Sequence, residues 1–196
     1  MKRVIGIDID SVLADSIELF IPFLNERFNK NLKLEDIVHY DFDKCYNVSP
    51  EEILEAFKDL TKYKLWRDIP IMDYAIEFMD YLTSRHTAVI VTSRPEEHMK
   101  EVTLEWLDKH KIKYIDLLFM DEKRDNDKYI TGLKNGYKFD LFIEDCYEFA
   151  VKILKYDIPV ILIDYPWNRQ EDKQCNNLYR MTNLREVLKF IEMQFK

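Results

Sequence analysis

The chain opens on an apolar run, Val4-Ile5-Gly6-Ile7, that stops at a carboxylate, Asp8, with a second, Asp10, two positions on. A short run rich in β-branched residues predicts a strand buried on both faces, as in a parallel sheet. Similar runs predict strands at Thr87–Thr92, 114–120, 139–143 and 159–163. Between them the apolar positions recur at helical spacing, at 73–82, 96–111, 129–133, 149–154 and 181–195.

The interval after the first strand has a different texture. Ser16–Phe28 carries Ile17, Leu19, Phe20, Phe23, Leu24 and Phe28 at helical spacing, with Pro22 marking a kink. Residues 29–48 keep no sustained period. Ser49-Pro50-Glu51-Glu52 then reads as an N-cap, a proline at the first helical position and acids in the first turn. The helix it opens runs through Ile53, Leu54, Phe57 and Leu60, and an aromatic patch from Tyr63 to Trp66 follows. Residues 16–72 are therefore expected to form a helical insertion with its own small core. Residues 1–15 and 73–196 should form the main domain.

Strands alternating with helices predict the α/β class: a Rossmann-like, doubly wound parallel sheet of about five strands with right-handed crossovers. In such sheets ligands bind beyond the carboxyl ends of the strands. Those ends carry Asp8 and Asp10, Thr92 and Ser93, and Glu144 and Asp145. Asp8 and Asp10 share one side of the strand, with Ile9 turned the other way. Two such anions repel unless a cation lies between them, and no basic residue occurs from Ser11 to Glu26. A bound hard cation, Mg²⁺, held by oxygen ligands is the expectation.

Composition narrows the remaining choices. A 47% hydrophobic content in 196 residues supports a real core rather than a disordered chain. The net charge of −8 disfavours a general nucleic-acid binder while leaving room for one small phosphorylated substrate at a local site. Cys45, Cys146 and Cys175 are odd in number and lack metal-ligand spacing, which argues against a disulfide framework or a zinc site. No apolar run approaches the ~20 residues that span a bilayer, and no signal pattern precedes the first strand. A cytoplasmic protein without membrane contact is expected.

A carboxylate, a second acid two residues on, a hydroxyl, a lysine and an acidic pair suit phosphoryl transfer. A carboxylate attacks phosphorus, cations offset the repulsion, and the second acid moves the proton. These residues also resemble a family. Asp8-Ile9-Asp10-Ser11-Val12 is similar to the first motif of the haloacid dehalogenase-like superfamily, Thr92 to its second, Lys128 to its third and Glu144-Asp145 to its fourth. The string from Asp8 to Asp15, Thr92-Ser93 and the Phe142-Ile143-Glu144-Asp145 run further resemble the cytosolic 5'(3')-deoxyribonucleotidase group. The insertion resembles that superfamily's helical C1 cap.

The resemblance implies a Mg²⁺-dependent phosphatase of nucleoside monophosphates working through an aspartyl phosphate. Asp8 would be nucleophile and metal ligand. Asp10 would be general acid/base, reaching the metal through its backbone carbonyl. Asp145 would complete the metal site, supported by Glu144. Thr92 with Ser93 would hold the phosphoryl group, and Lys128 would neutralise charge. Lys123 and Lys134 also fit the third motif; Lys128 is preferred because it opens the helix before strand four. Ser11 stands where such nucleotidases often have glycine. Tyr40 and Phe42 are candidates for contacting a nucleobase, against the alternative that they pack within the insertion. Arg94 and Arg169 are read as partners of acids. A sugar-phosphate phosphatase and a catalytically silent phosphate binder remain the alternatives.

Overall fold

A computed structural model describes residues 2–121, 123–124, 126–169 and 175–194. In chain order the elements are β1 (Val4–Ile7), α1 (Ser16–Phe28), α2 (Phe42–Tyr46), α3 (Pro50–Lys62), α4 (Ala75–Arg85), β2 (Thr87–Thr92), α5 (Glu96–Lys109), β3 (Asp116–Phe119), α6 (Lys128–Lys134), β4 (Leu141–Glu144), α7 (Tyr147–Leu154), β5 (Val160–Ile163), α8 (Pro166–Arg169), β6 (Leu178–Met181) and α9 (Leu184–Gln194). Short 3₁₀ turns occupy Leu34–Asp36 and Leu65–Asp68.

The strands form a six-stranded sheet in the order β3-β2-β1-β4-β5-β6, and every pairing is parallel. One strand more is present than the periodicity predicts. β6 falls partly where the terminal helix was expected to start, at residue 181, and α9 begins only at Leu184. Its four residues are half-buried or exposed, so no apolar run marks it, and pairing with β5 rather than local pattern makes it a strand.

Side-chain alternation along the strands divides the core between the two faces. Ile5, Ile7, Ala88, Ile90, Leu141, Ile143, Ile161 and Ile163 join one cluster with residues of α1, α3, α4, α5 and α9. Val89, Val91, Phe142, Val160 and Leu162 point to the other face, against Tyr129 of α6 and Ala150 and Ile153 of α7. Burial on both faces explains the unbroken apolar runs.

The helices between β1 and α4 do not keep a separate core. Phe20, Phe42, Phe57 and Trp66 pack edge-on or tilted, with centroids 5.1–6.1 Å apart. Phe20 and Trp66 belong to the same buried cluster as Ile5 and Ile7. Trp106 on α5 donates its indole N–H to the Ile69 carbonyl at 2.8 Å, tying this segment to the sheet. α3 is capped as expected: Ser49 Oγ accepts from the Glu52 N–H, and Glu52 Oε2 accepts from the Ser49 N–H. Pro22 lies inside α1, which continues through it as one helix. No helix among the described residues is long and apolar enough to cross a membrane.

Gly6 on β1 faces the rings of β4 and the segment before it. A Cβ there would lie 2.3 Å from Phe142 Cδ2 and Cε2. Because Phe142 is fully buried, its ring has no free space to retreat into. Gly6→Ala is expected to destabilise the fold by about 1–3 kcal/mol through overpacking. Urea unfolding measures this directly, and an unchanged midpoint would show that Phe142 can yield.

Candidate active site

β1 lies between β2 and β4, where the winding direction of the sheet reverses, and β1 and β4 end side by side. Asp8, one residue past β1, donates its N–H to the Ile143 carbonyl of β4 at 3.1 Å. Its carboxylate therefore faces Glu144, the last residue of β4, and Asp145 beyond it. One ligand oxygen from each of Asp8, Glu144 and Asp145 lies within 4.8 Å of the others, and all three residues are buried. The chain then turns sharply. The N–H groups of Leu13 and Ala14 both reach back to the Ile9 carbonyl, and Ser11 adopts a left-handed conformation with φ of 59°. This is a backbone region that favours glycine, and a serine adopts it here.

Lys128 separates the acids. Asp127 caps α6 by accepting from the Tyr129 and Ile130 N–H groups, which fixes Lys128 as its first residue. The Lys128 side chain is fully buried, with Nζ 2.7 Å from Asp8 Oδ1 and 2.8 Å from Glu144 Oε2. Nζ also lies 5.0 Å from the centre of the Phe149 ring. Lys123 and Lys134 are exposed. Burial opposes the charge on Lys128, but Asp8 and Glu144 outweigh it and its pKa is raised.

With all three carboxylates ionised, one ammonium would leave an excess of two negative charges in a buried space. Burial, with repulsion from Glu144 and Asp10, pushes Asp8 up from 3.8 to about 7 against the pull of Lys128. Burial, then Glu144 and Asp8, raises Asp145 well above the usual carboxylate range. Although Lys128 lies close, no donor is aligned on Asp8 Oδ1, so a buried anionic oxygen keeps unused lone pairs. An orphaned oxygen, an uncompensated charge and hard donors fit a divalent cation; Asp8 and Asp145 would hold it.

The Asp10 carboxylate is turned away from this cluster. Arg94 grips it from two sides, Nε to Oδ2 and Nη2 to Oδ1, each at 2.7 Å, and the Ser16 hydroxyl also donates to Oδ1. Burial alone would raise Asp10, but the Arg94 charge and these hydrogen bonds hold it below the usual range. Arg94 is itself buried. Its Nη1 donates to Thr103 Oγ1 at 3.1 Å, and its guanidinium lies 5.1 Å from the Trp66 ring centre. Arg94 thus pairs with an acid, as expected, and that acid is Asp10. Thr92 ends β2 fully buried, its Oγ1 accepting from the Arg94 N–H at 3.1 Å. Ser93 beside it is half-buried.

Of the two aromatic candidates, Phe42 is spent on packing against Phe20 and Phe57. Tyr40 is 44% exposed, and desolvation together with the nearby charges of Asp145, Asp8 and Glu144 pushes its phenol well above the usual range. Tyr165, after β5, is raised by burial and by Asp145 and Asp15. A cavity of about 510 Å³ lies between α1 and the turn after β5, lined by Asp15, Glu18, Glu35 and Asp164 among others. Arg169, paired with Asp164 at 2.9 Å, also lines it, and the Asp8 cluster does not. The turn after β5 also supplies Asn168, which touches the Asp145 backbone. Nothing in the local sequence signals that contact.

The shifts give the pH dependence a definite sign. Asp8 and Asp145 bind protons more tightly folded than unfolded, so without a cation the contribution of Asp8 to stability declines as pH rises from about 4 to about 7, and that of Asp145 changes in the same direction. Asp10 acts oppositely, but only below the usual carboxylate range. A divalent cation that holds the acids ionised should stabilise more at pH 7.5 than at pH 5. At a hundred times its Kd the gain at pH 7.5 is about 3 kcal/mol, or roughly 5–10 °C in Tm. Thermal melts with Mg²⁺ or EDTA at both pH values measure it; equal shifts at the two would contradict the geometry.

Comparison with known proteins accords with this arrangement. The family model described as 5' nucleotidase, deoxy (pyrimidine), cytosolic type C protein matches residues 2–196. A nucleotidase from Clostridium acetobutylicum is 30% identical over 192 residues, covering 98% of this chain and 95% of that protein. A 5'(3')-deoxyribonucleotidase from Bacillus subtilis is 26% identical over 188 residues, 95% of this chain and 97% of its own. Among solved structures, a haloacid dehalogenase-like hydrolase from Streptococcus pneumoniae superposes with a TM-score of 0.71 at 16% identity, covering 97% of this chain and 98% of its own. The HAD-hydrolase YfnB from Bacillus subtilis, solved bound to magnesium, gives 0.63 at 14% identity, covering the same shares. The chain belongs to the cytosolic type C 5'-nucleotidase family, a hydrolase family of phosphoric monoesters on the haloacid dehalogenase-like fold.

Proposed function

We propose that this protein is a Mg²⁺-dependent phosphatase that hydrolyses nucleoside and deoxynucleoside monophosphates through an aspartyl phosphate on Asp8. One observation carries the reading: Asp8 ends the central strand with a buried lysine 2.7 Å away and two further acids within 4.8 Å. Bound at Asp8 and Asp145, with the Asp10 carbonyl as a further oxygen, Mg²⁺ would supply charge neutralisation between nucleophile and phosphate.

The chain's own groups do the rest. A carboxylate oxygen of Asp8 attacks phosphorus as the P–O bond to the nucleoside breaks. Asp10 gives its proton to the leaving oxygen. Water then attacks the phosphorus of the aspartyl phosphate and passes a proton to Asp10, and the P–O bond to Asp8 breaks. Lys128 offsets the charge on Asp8 throughout. The Thr92 and Ser93 hydroxyls and nearby N–H groups hold the phosphoryl oxygens, since positioning and electrostatics supply most of the rate in this chemistry. Arg94 keeps Asp10 ionised, the form needed as base in the second half. An incoming phosphate dianion beside Asp10 opposes that charge and favours protonation for the first half.

The segment 16–72 serves as a cap over the phosphate site. Tyr40, exposed yet within the field of Asp145 and Asp8, suits contact with the phosphate or sugar end of the substrate, while Phe42 supports the cap from within. Relatives named nucleotidase and 5'(3')-deoxyribonucleotidase favour nucleotides over sugar phosphates, and absence of a membrane-spanning helix among the described residues is compatible with the cytoplasm.

Steady-state hydrolysis of a panel of nucleoside 5'- and 3'-monophosphates and sugar phosphates tests the reading. Nucleotides should give the higher kcat/KM, and Asp8→Asn should lower kcat by about three orders of magnitude or more. Turnover surviving in Asp8→Asn removes Asp8 as nucleophile. A preference for sugar phosphates removes the nucleotide assignment.

A further inference from the structure

Asn168 lies in α8, fully buried, and its side chain is completely occupied. Its Nδ2 donates to the Asp145 carbonyl at 2.7 Å and to the Ile163 carbonyl at 2.8 Å. Its Oδ1 accepts from Arg180 Nη1 at 2.6 Å and from the Tyr165 N–H at 3.3 Å. Two donors and two lone pairs are all that a carboxamide has, so Asn168 keeps nothing for a ligand. Arg180, on β6, also donates to the Asn168 backbone carbonyl and pairs with Asp164.

What this bracket holds is one peptide unit. The Asp145 carbonyl accepts from Asn168 and, at 3.3 Å, from the Trp167 indole N–H. The N–H of the same peptide, that of Cys146, donates to Glu144 Oε1 at 3.3 Å, as does the Asp145 N–H. Glu144 Oε2 in turn is held by Lys128. The peptide between Asp145 and Cys146 is thereby tied at both its polar ends and cannot rotate without breaking buried hydrogen bonds. Its orientation sets the direction of the Asp145 side chain. Three crowded carboxylates would otherwise relax by swinging apart, and Asp145, at the start of a loop, has the most freedom to do so.

We infer that Asn168, braced by Arg180, is a positioning residue of the cation site: it holds the Asp145 carboxylate in the cluster and so raises affinity for a divalent ion. This rests on the reading of Asp145 as a ligand. Groups that orient ligands in this way are worth about 10–100-fold in metal affinity when removed.

The test is Mn²⁺ binding to the whole protein, read from the electron paramagnetic resonance signal of free Mn²⁺, together with Tm in EDTA and KM for the best nucleotide. Asn168→Ala should weaken Mn²⁺ binding about 10–100-fold while KM at saturating Mn²⁺ stays within about twofold. Arg180→Lys, which loses the forked grip but leaves β6 intact, should weaken it several-fold and stands in if Asn168→Ala does not fold. Asp145→Asn is the control and should lose binding more severely than either. Unchanged Mn²⁺ affinity in Asn168→Ala and Arg180→Lys, with a lowered Tm, overturns the inference and leaves Asn168 as part of the fold alone. Unchanged affinity in Asp145→Asn overturns the ligand reading itself, and the inference with it.

Discussion

A lysine ammonium buried between two carboxylates is the constraint to which the rest of the site answers. The side chains of Lys128 and Glu144 are wholly withdrawn from water, and that of Asp8 nearly so. A buried charge is tolerated only when it is paired and hydrogen-bonded, and removing one partner of such a pair is far costlier than the pair itself is favourable. The three groups therefore hold one another in register across β1, α6 and β4. They do not balance, because Asp145 adds a third carboxylate. The fold has concentrated negative charge where water is scarce, a burden on stability that becomes useful when a cation and a phosphate arrive.

Two brackets flank that cluster, one after β2 and one after β5. After β2, Arg94, lying against Trp66 and hydrogen-bonded to Thr103, grips the Asp10 carboxylate. After β5, Asn168, held by Arg180, ties down the peptide after Asp145. Both use forked or fully satisfied polar groups in buried positions, where such bonds are strong and losing one is expensive. The helical segment after β1 shares in this, since Trp66 belongs both to its aromatic cluster and to the packing around Arg94. Because that segment and the sheet share one apolar cluster, the position of the segment is coupled to the Arg94–Asp10 pair rather than independent of it.

The parallel sheet, the strand-end location of the chemistry and its acidic residues could all be read from the chain. Each is a consequence of local pattern. An apolar run four to six residues long, rich in β-branched residues, fits a strand covered on both faces, and helices alternating with such runs favour parallel crossovers. Asp8, Thr92 and Glu144-Asp145 stand at the ends of those runs, so the topology alone draws them together, and Lys128 joins them from the start of α6. Lys128 could only be preferred over Lys123 and Lys134, as the residue opening the helix before strand four; its burial between Asp8 and Glu144 came with the structure.

Arg94's grip on Asp10, the Asn168 bracket, the packed role of Phe42 and the sixth strand were settled by three-dimensional contact. Arg94 is 84 positions from Asp10, and Asn168 is 23 from Asp145. Neither lies in a repeating pattern, and a lone arginine or asparagine looks the same whether it is solvated or buried. β6 has no apolar run and exists because β5 offers an open edge to pair with. Periodicity records which residues leave water. It does not record which polar group each buried one meets, because that depends on how distant elements are stacked.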